Sequence, residues 1–177
     1  MKQPVKYILT FGIFLAMFAG RTEKVFSQDV DYKAYTLFLY NFMKYIEWPP
    51  DQAADFVIGV VGDCPIKKDL QTLAETKKAK GKKITIKIIN ATDDALSCNM
   101  VFIPSAKSSQ LKPIAEKIKG KPILIVAERE GLAKKGAAIS FAVNDDDALQ
   151  FDFNKTVLDG QSLKIANLLM QLGELVG

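Results

Sequence analysis

The sequence predicts an α/β fold, a three-layer αβα domain with about four parallel strands plus an antiparallel C-terminal hairpin. Three observations predict it. A continuous apolar run at 56–62 is typical of a strand that is buried on both faces. Strands and amphipathic helices then alternate, which favours right-handed parallel crossovers. Two runs of alternating polarity near the carboxyl end are joined by a short polar turn, which indicates a hairpin.

The first 27 residues have the pattern of a signal peptide. Lys2 and Lys6 precede a mostly apolar run at 7–20, which is shorter than the roughly 20 residues that a transmembrane helix needs. The residues at 25–27 are acceptable at a cleavage site, which predicts cleavage after Ser27. The alternative is an uncleaved anchor helix. We expect residues 28–177 to form one domain that is periplasmic or secreted, without integral membrane insertion.

The composition excludes several classes of function. The chain has no histidine, so Ser-His and Cys-His catalytic arrangements and histidine-ligated metal sites are excluded. The net charge is +4, and removal of the leader takes away four basic residues and one acidic residue, which leaves +1. A domain this close to neutrality has no broad electrostatic attraction to nucleic acid. Segment 59–63 lacks the full dinucleotide-binding glycine pattern, so we expect no cofactor. Two cysteines without a histidine cannot build a structural zinc site by themselves, so we also expect no metal.

The mature chain begins with an aromatic-rich helix at about 35–48. It is apolar almost all round, so most of its circumference should be buried. Pro49 removes an amide donor and disfavours helical geometry in the preceding residue, so the helix should end there. Asn41 is either a buried, hydrogen-bonded amide or a partner contact. Trp48 either fills the core beside the first strand or anchors an interface together with Tyr40.

The later elements follow from periodicity and from turn residues. A helix with one apolar stripe follows Pro65, and Gly81 ends that unit. The next helix begins near Ser108 and tolerates Pro113 in its first turn. A last helix is predicted over about 162–175. The predicted strands lie at 56–62, 84–89, 100–104, 122–126, 138–143 and 149–153.

Two charged runs each allow two interpretations. Five lysines surround Gly81, at positions 77, 78, 80, 82 and 83. Such a run is most often a solvated loop, and the alternative is contact with an acidic partner or a lipid head group. The three aspartates at 145–147 have the composition of a calcium loop but lack its twelve-residue ligand pattern, so they predict a hairpin tip.

The two cysteines are predicted to be unpaired. An oxidising compartment and an even count favour a disulfide. However, Cys64 follows the first strand, whereas Cys98 precedes the strand at 100–104. If these strands are parallel, the cysteines lie at opposite edges of the sheet, about a strand's length or ~15 Å apart. A disulfide needs Cα atoms within ~7 Å.

A set of short segments follows one order along the chain. The segments are Tyr40-Asn41-Phe42, Tyr45, Glu47-Trp48-Pro49, Val60-Val61-Gly62-Asp63, Cys98-Asn99-Met100-Val101-Phe102-Ile103, Gly120-Lys121-Pro122-Ile123-Leu124, Gly136, Ile139-Ser140-Phe141, Phe151-Asp152-Phe153-Asn154, Leu163-Lys164-Ile165 and Leu168-Leu169. In this order they resemble the YfiR-like family of secreted bacterial proteins. The resemblance covers about 31–176, and the ordered set carries it rather than any single motif.

The resemblance implies a non-catalytic periplasmic regulator. Such a protein restrains a membrane-bound diguanylate cyclase through contact with that enzyme's outer domain. On this interpretation Tyr40, Asn41 and Trp48 are the candidate partner-binding residues. The family pattern often carries more cysteines, so redox sensing through several disulfides is not expected here. A homodimer is a further possibility that the sequence leaves open.

Two alternatives compete with the regulatory interpretation. A small-ligand envelope sensor would bind beyond the carboxyl ends of the parallel strands, near Asp63, Ser105 and Glu128. An enzyme without histidine would need two carboxylates within reach of its substrate, and Asp63 with Glu128 is the pair that the sequence offers. A deep pocket with converging polar groups at those strand ends would favour the sensor.

Overall fold

The computed structural model describes residues 32–51, 53–144, 146 and 148–177. The predicted signal peptide lies outside the described residues, as do two of the three aspartates at the predicted hairpin tip. None of the helices in the described ranges has the length and hydrophobicity needed to cross a bilayer.

The described residues form one eight-stranded sheet and a separate two-stranded pair. The strands are β1 Ile46–Glu47, β2 Asp55–Val61, β3 Lys78–Ala79, β4 Lys82–Ile89, β5 Met100–Ile103, β6 Leu124–Ala127, β7 Ile139–Val143, β8 Leu149–Phe153, β9 Lys164–Ile165 and β10 Glu174–Leu175. The large sheet has the order β10-β8-β7-β6-β5-β2-β4-β3, and β1 pairs with β9.

The centre of the large sheet is parallel. Strand β2 runs parallel to β4 on one side and to β5 on the other, with Ile58 opposite Met100. Strands β6 and β7 continue the parallel set, and β8 returns antiparallel to β7. The predicted α/β class is therefore confirmed. The parallel set has five strands rather than about four, because the first strand of the hairpin pairs in parallel with β6.

Helices cover both faces of the sheet, as a three-layer fold requires. The helices are α1 Tyr32–Tyr45, α2 Ile66–Thr76, α3 Leu111–Lys117, α4 Lys155–Gly160 and α5 Asn167–Met170, with 3-10 turns at Thr92–Ser97, Ser105–Gln110 and Ala133–Lys135. One face carries a large core that includes apolar residues of α1, α2, α4 and α5, and the opposite face carries a smaller core with α3. The strands contribute to both cores, since successive side chains along a strand point to opposite faces of the sheet.

Helix α1 packs on the sheet through one stripe. Thr36, Leu39, Phe42 and Met43 are buried at helical spacing. The helix ends at Tyr45, three residues before the predicted end. The sequence prediction was wrong there because the next two residues leave helical geometry to pair with β9.

The predicted last helix over 162–175 was wrong. Lys164 and Ile165 form β9, and only α5 is helical, over four residues. Gly173 explains part of the difference, because a Cβ there would lie 2.3 Å from the Phe151 ring. The close approach of this glycine lets the chain end as β10 beside β8. A helix could not provide both strand pairings.

The two cysteines lie in different cores. Cys64 belongs to the core with α1, and Cys98 belongs to the core with α3 on the opposite face. Both are buried free thiols in this structure. Burial raises the pKa of each thiol, which lowers the fraction of reactive thiolate.

We expect the mature protein to have no Cys64–Cys98 bond, because the two thiols belong to cores on opposite faces of the sheet and a disulfide needs its two Cα atoms within ~7 Å. A non-reducing peptide map of the monomer measures this directly. A linked Cys64–Cys98 peptide would contradict both the prediction and the parallel pairing of β2 with β5.

Candidate partner-binding groove

Trp48 lies at the amino ends of the parallel strands, just beyond β1. Its ring contacts Phe56 of β2 edge to face, with centroids 5.1 Å apart and ring planes at 85°. Its indole Nε1 donates a hydrogen bond to the backbone oxygen of Asn99 at 3.2 Å. Trp48 is half-buried: one side packs beside the first strand, and the rest lines a surface cavity. Its role as an interface anchor stays a prediction.

Asn99 holds this edge together, a role that sequence reasoning did not assign. Its side-chain Oδ1 accepts a hydrogen bond from the Val57 backbone N–H at 2.8 Å, and its backbone N–H donates one to the Val57 backbone oxygen at 2.8 Å. The same backbone oxygen that accepts from Trp48 also accepts from the Leu124 amide at 2.9 Å. The sequence feature that could have indicated this role is the position of Asn99 immediately before the buried strand β5.

Three cavities adjoin along this edge. The first, of about 230 Å³, is lined by Tyr40 among other residues, and the second, of about 310 Å³, is lined by Trp48 among other residues. Lys80 lines both of them. A third cavity of about 320 Å³ shares Trp48 with the second and extends to Lys164. We call these three cavities, which share lining residues, the Trp48 groove. Tyr40 and Trp48, two of the three residues proposed from the sequence, line different cavities of this groove, and Lys80 lies between them.

Asn41 differs from the other two predicted residues. It is half-buried on α1, and it is not among the residues that line the three cavities. Its role in partner contact stays a prediction.

The charged side chains along the groove are mostly lysines. Lys82 forms an ion pair with Asp51, and this hydrogen bond lowers the pKa of the Asp51 carboxyl. Glu47 lies opposite Lys164 in the register of β1 and β9. The remaining three lysines are exposed and have no carboxylate among the described residues within 4.0 Å. They are Lys44, Lys78 and Lys80.

A second polar cluster lies at the opposite, carboxyl ends of the strands. Glu128 follows β6 and is buried, and its Oε2 accepts from the Ser105 amide at 2.6 Å. Burial raises the pKa of the Tyr32 hydroxyl, and its interactions with Cys64 and Glu128 raise it further. Asp63 is exposed and adds a negative charge near Cys64.

The second cluster corresponds to the site proposed for a small ligand. The structure joins Ser105 to Glu128 by a hydrogen bond, whereas Asp63 remains on the surface. The cavity found near these strand ends has a volume of about 130 Å³ and is lined by other residues, among them Gly62 and Lys107. Ligand binding by the three predicted residues stays a prediction.

Comparisons with known proteins place this geometry in context. A family model described as YfiR/HmsC-like matches residues 32–174. No curated protein matches the chain. Among solved structures, the chain is similar to an ABC domain in complex with L-Trp from Streptococcus pneumonia, at 9% identity and a TM-score of 0.51. The match covers 77% of this chain and 59% of that chain, and at such low identity it shows a shared fold alone.

Proposed function

The chain belongs to the YfiR/HmsC-like family, and from that membership we propose that it restrains a membrane-bound diguanylate cyclase by contact with the enzyme's outer domain. This family is a regulatory one and its members are periplasmic. We also propose that the leader at 1–27 directs the protein to the periplasm or out of the cell. The Trp48 groove is the observation that supports a contact function, because aromatic residues beside cavities are typical anchors of protein interfaces.

A deletion and a double substitution test the regulatory role together. Deleting the gene should raise cellular cyclic di-GMP, because the cyclase loses its restraint. Complementation with the Tyr40→Ala/Trp48→Ala variant should leave cyclic di-GMP high, since the aromatic anchors are missing. Complementation with Leu172→Ala should restore the low level, because Leu172 is an exposed leucine that does not line the groove.

Folding has to be separated from binding in this experiment, because Trp48 also packs on Phe56. Trp48→Phe keeps an aromatic ring against Phe56, although a smaller one, and removes the indole donor. Circular dichroism and thermal melting of each purified variant report the fold. A folded Tyr40→Ala/Trp48→Ala protein that fully restores the low cyclic di-GMP level would reject the proposed surface. An unchanged level on gene deletion would reject the regulatory role itself.

A small-ligand sensor is the second candidate function. The convergence of Tyr32, Cys64 and Glu128 at the carboxyl ends of the strands supports it, since ligands of open α/β sheets bind there. The similar ABC domain was solved with L-Trp, which makes free amino acids the first probes. A rise in melting temperature with one of them, lost in Glu128→Gln, would favour the sensor over a regulator that acts by contact alone.

A further inference from the structure

The Trp48 groove combines exposed positive charge with aromatic walls. Lys44, Lys78 and Lys80 are exposed along it, whereas Asp51 is paired with Lys82. The Lys80 Nζ donates to the backbone oxygen of Lys44 at 3.0 Å, which holds its charge between the Tyr40 and Trp48 cavities. The excess of positive charge therefore lies around the Tyr40 cavity, whose charged lining residues are all lysines. Around the Trp48 cavity, Glu47 and Asp51 balance Lys80 and Lys82.

Lys80 occupies a backbone position that disfavours lysine. It has a φ of 53° and is followed by Gly81 with a φ of 81°, in the two-residue loop between Ala79 and Lys82. Tight hairpin loops with two left-handed residues strongly prefer asparagine or glycine at the first position. A lysine there costs free energy that asparagine would not. Strain of this kind is characteristic of positions where the side chain has a function.

We propose that the Trp48 groove binds an acidic segment carrying apolar side chains, supplied by the outer domain of the regulated membrane protein. This inference rests on the proposed function and specifies the chemistry of the partner. The apolar side chains enter the cavities beside Tyr40 and Trp48, and the carboxylates of the segment meet Lys44, Lys78 and Lys80. Complementary charges across an interface chiefly raise the association rate and set specificity.

A protein segment fits this groove better than a membrane surface does. Trp48 is half-buried, packs against Phe56 and already donates its indole hydrogen to Asn99. Membrane-surface aromatics instead project into the lipid interface. A partner must therefore bring its apolar groups into the groove, which an extended segment can do.

Because Trp48 lines the groove, its fluorescence can be used to measure binding there. It is the single tryptophan of the chain, so its fluorescence reports occupancy of the groove. The probe is a short synthetic peptide of glutamates around a central pair of leucines, titrated into the mature protein at low and high salt. Vesicles of phosphatidylglycerol and phosphatidylethanolamine are titrated separately. We expect the peptide to shift the Trp48 emission, with an affinity that falls as salt screens the charges.

Charge variants test the assignment to the groove. Lys78→Glu/Lys80→Glu should weaken peptide binding by about tenfold or more, which corresponds to ~1.4 kcal/mol. Lys112→Glu/Lys119→Glu makes the same change in net charge at two exposed lysines outside the groove and should leave the affinity unchanged. Lys80→Asn should weaken binding while keeping or raising the melting temperature, because asparagine suits the turn.

Each result decides for or against the inference. The inference would be overturned if the peptide did not shift the Trp48 emission, or if the two double variants lost the same peptide affinity. It would also be overturned if vesicles shifted the emission and the peptide did not. Full peptide affinity in folded Lys80→Asn together with folded Lys78→Glu/Lys80→Glu would also overturn it. The peptide experiment and the gene deletion test different claims. If deletion raises cyclic di-GMP but the peptide does not bind, the regulatory role is retained and the proposal that the groove binds an acidic segment is rejected.

Discussion

Replacing Phe42 by alanine is expected to lower the free energy of unfolding by about 3–5 kcal/mol. Phe42 is fully buried in the core between α1 and the sheet. Its ring meets Phe151 edge to face at a centroid distance of 5.0 Å and lies 6.0 Å from Phe141. The loss is large beside the total stability of about 5–15 kcal/mol that is typical of such domains. Urea denaturation followed by circular dichroism measures it.

Leu37 supplies the control for this substitution on the same helix. It is 60% exposed, so Leu37→Ala should change the free energy of unfolding by no more than about 0.5 kcal/mol. Similar losses in Phe42→Ala and Leu37→Ala would show that the substitutions act through helix α1 itself and not through packing on the hairpin.

Replacing Gly59 by alanine is expected to destabilise the protein by about 1–3 kcal/mol, because it overfills the smaller core. Gly59 lies in β2, an interior strand of the sheet. A Cβ added there would lie 2.3 Å from Ile89 Cδ1 and 2.7 Å from Cys98 Sγ. Ile89 and Cys98 are themselves buried, so neither can move away into solvent. The midpoint of urea denaturation reports the effect.

Gly160 provides a matched control with the same chemical change. It ends α4, and a Cβ there would meet nothing within 4 Å. Gly160→Ala should therefore stabilise the protein by about 0.4–1 kcal/mol, since alanine restricts the unfolded chain. Opposite signs for the two substitutions are expected. A neutral or stabilising Gly59→Ala would mean that the close approach of β2 to Ile89 and Cys98 is not a packing constraint.

The sequence predicted best where the local pattern alone determines the structure. The predicted strands at 56–62 and 149–153 lie within a residue of β2 and β8. A continuous apolar run identified the first, and an alternation of apolar and polar residues identified the second. The order of the strands along the chain also predicted that residues after β5 and β6 would meet. Ser105 and Glu128 do meet, through a hydrogen bond.

The differences arise where distant segments decide the local structure. The helix end at Tyr45 depends on pairing between Ile46 and Ile165, which local periodicity cannot reveal. The apolar spacing near the carboxyl end predicted a helix, but contact of Gly173 with Phe151 favours a strand there. Tertiary contacts commonly override propensity in this way.

The Trp48 groove shows the same limit for function. Tyr40 and Trp48 were identified because aromatic residues are concentrated in one segment. Lys80 and Asn99 come from other parts of the chain and join them only through the sheet. The lysine run had been recognised as a possible contact with an acidic partner, yet its position beside the aromatic residues depends on the β3–β4 turn.

The packing of α1 on the hairpin also determines when the protein can fold during synthesis. Phe42 and Phe151 are in contact although about a hundred positions separate them in the chain, and such long-range contacts form slowly. A helix as short as α1 is marginal by itself in water. Its apolar stripe also packs against α2, so the part that faces the hairpin is the part that lacks a partner until β7 and β8 have been made. A growing chain that stops before position 149 presents that part of the stripe to solvent, and we expect it to depend on chaperones until the hairpin has been synthesised.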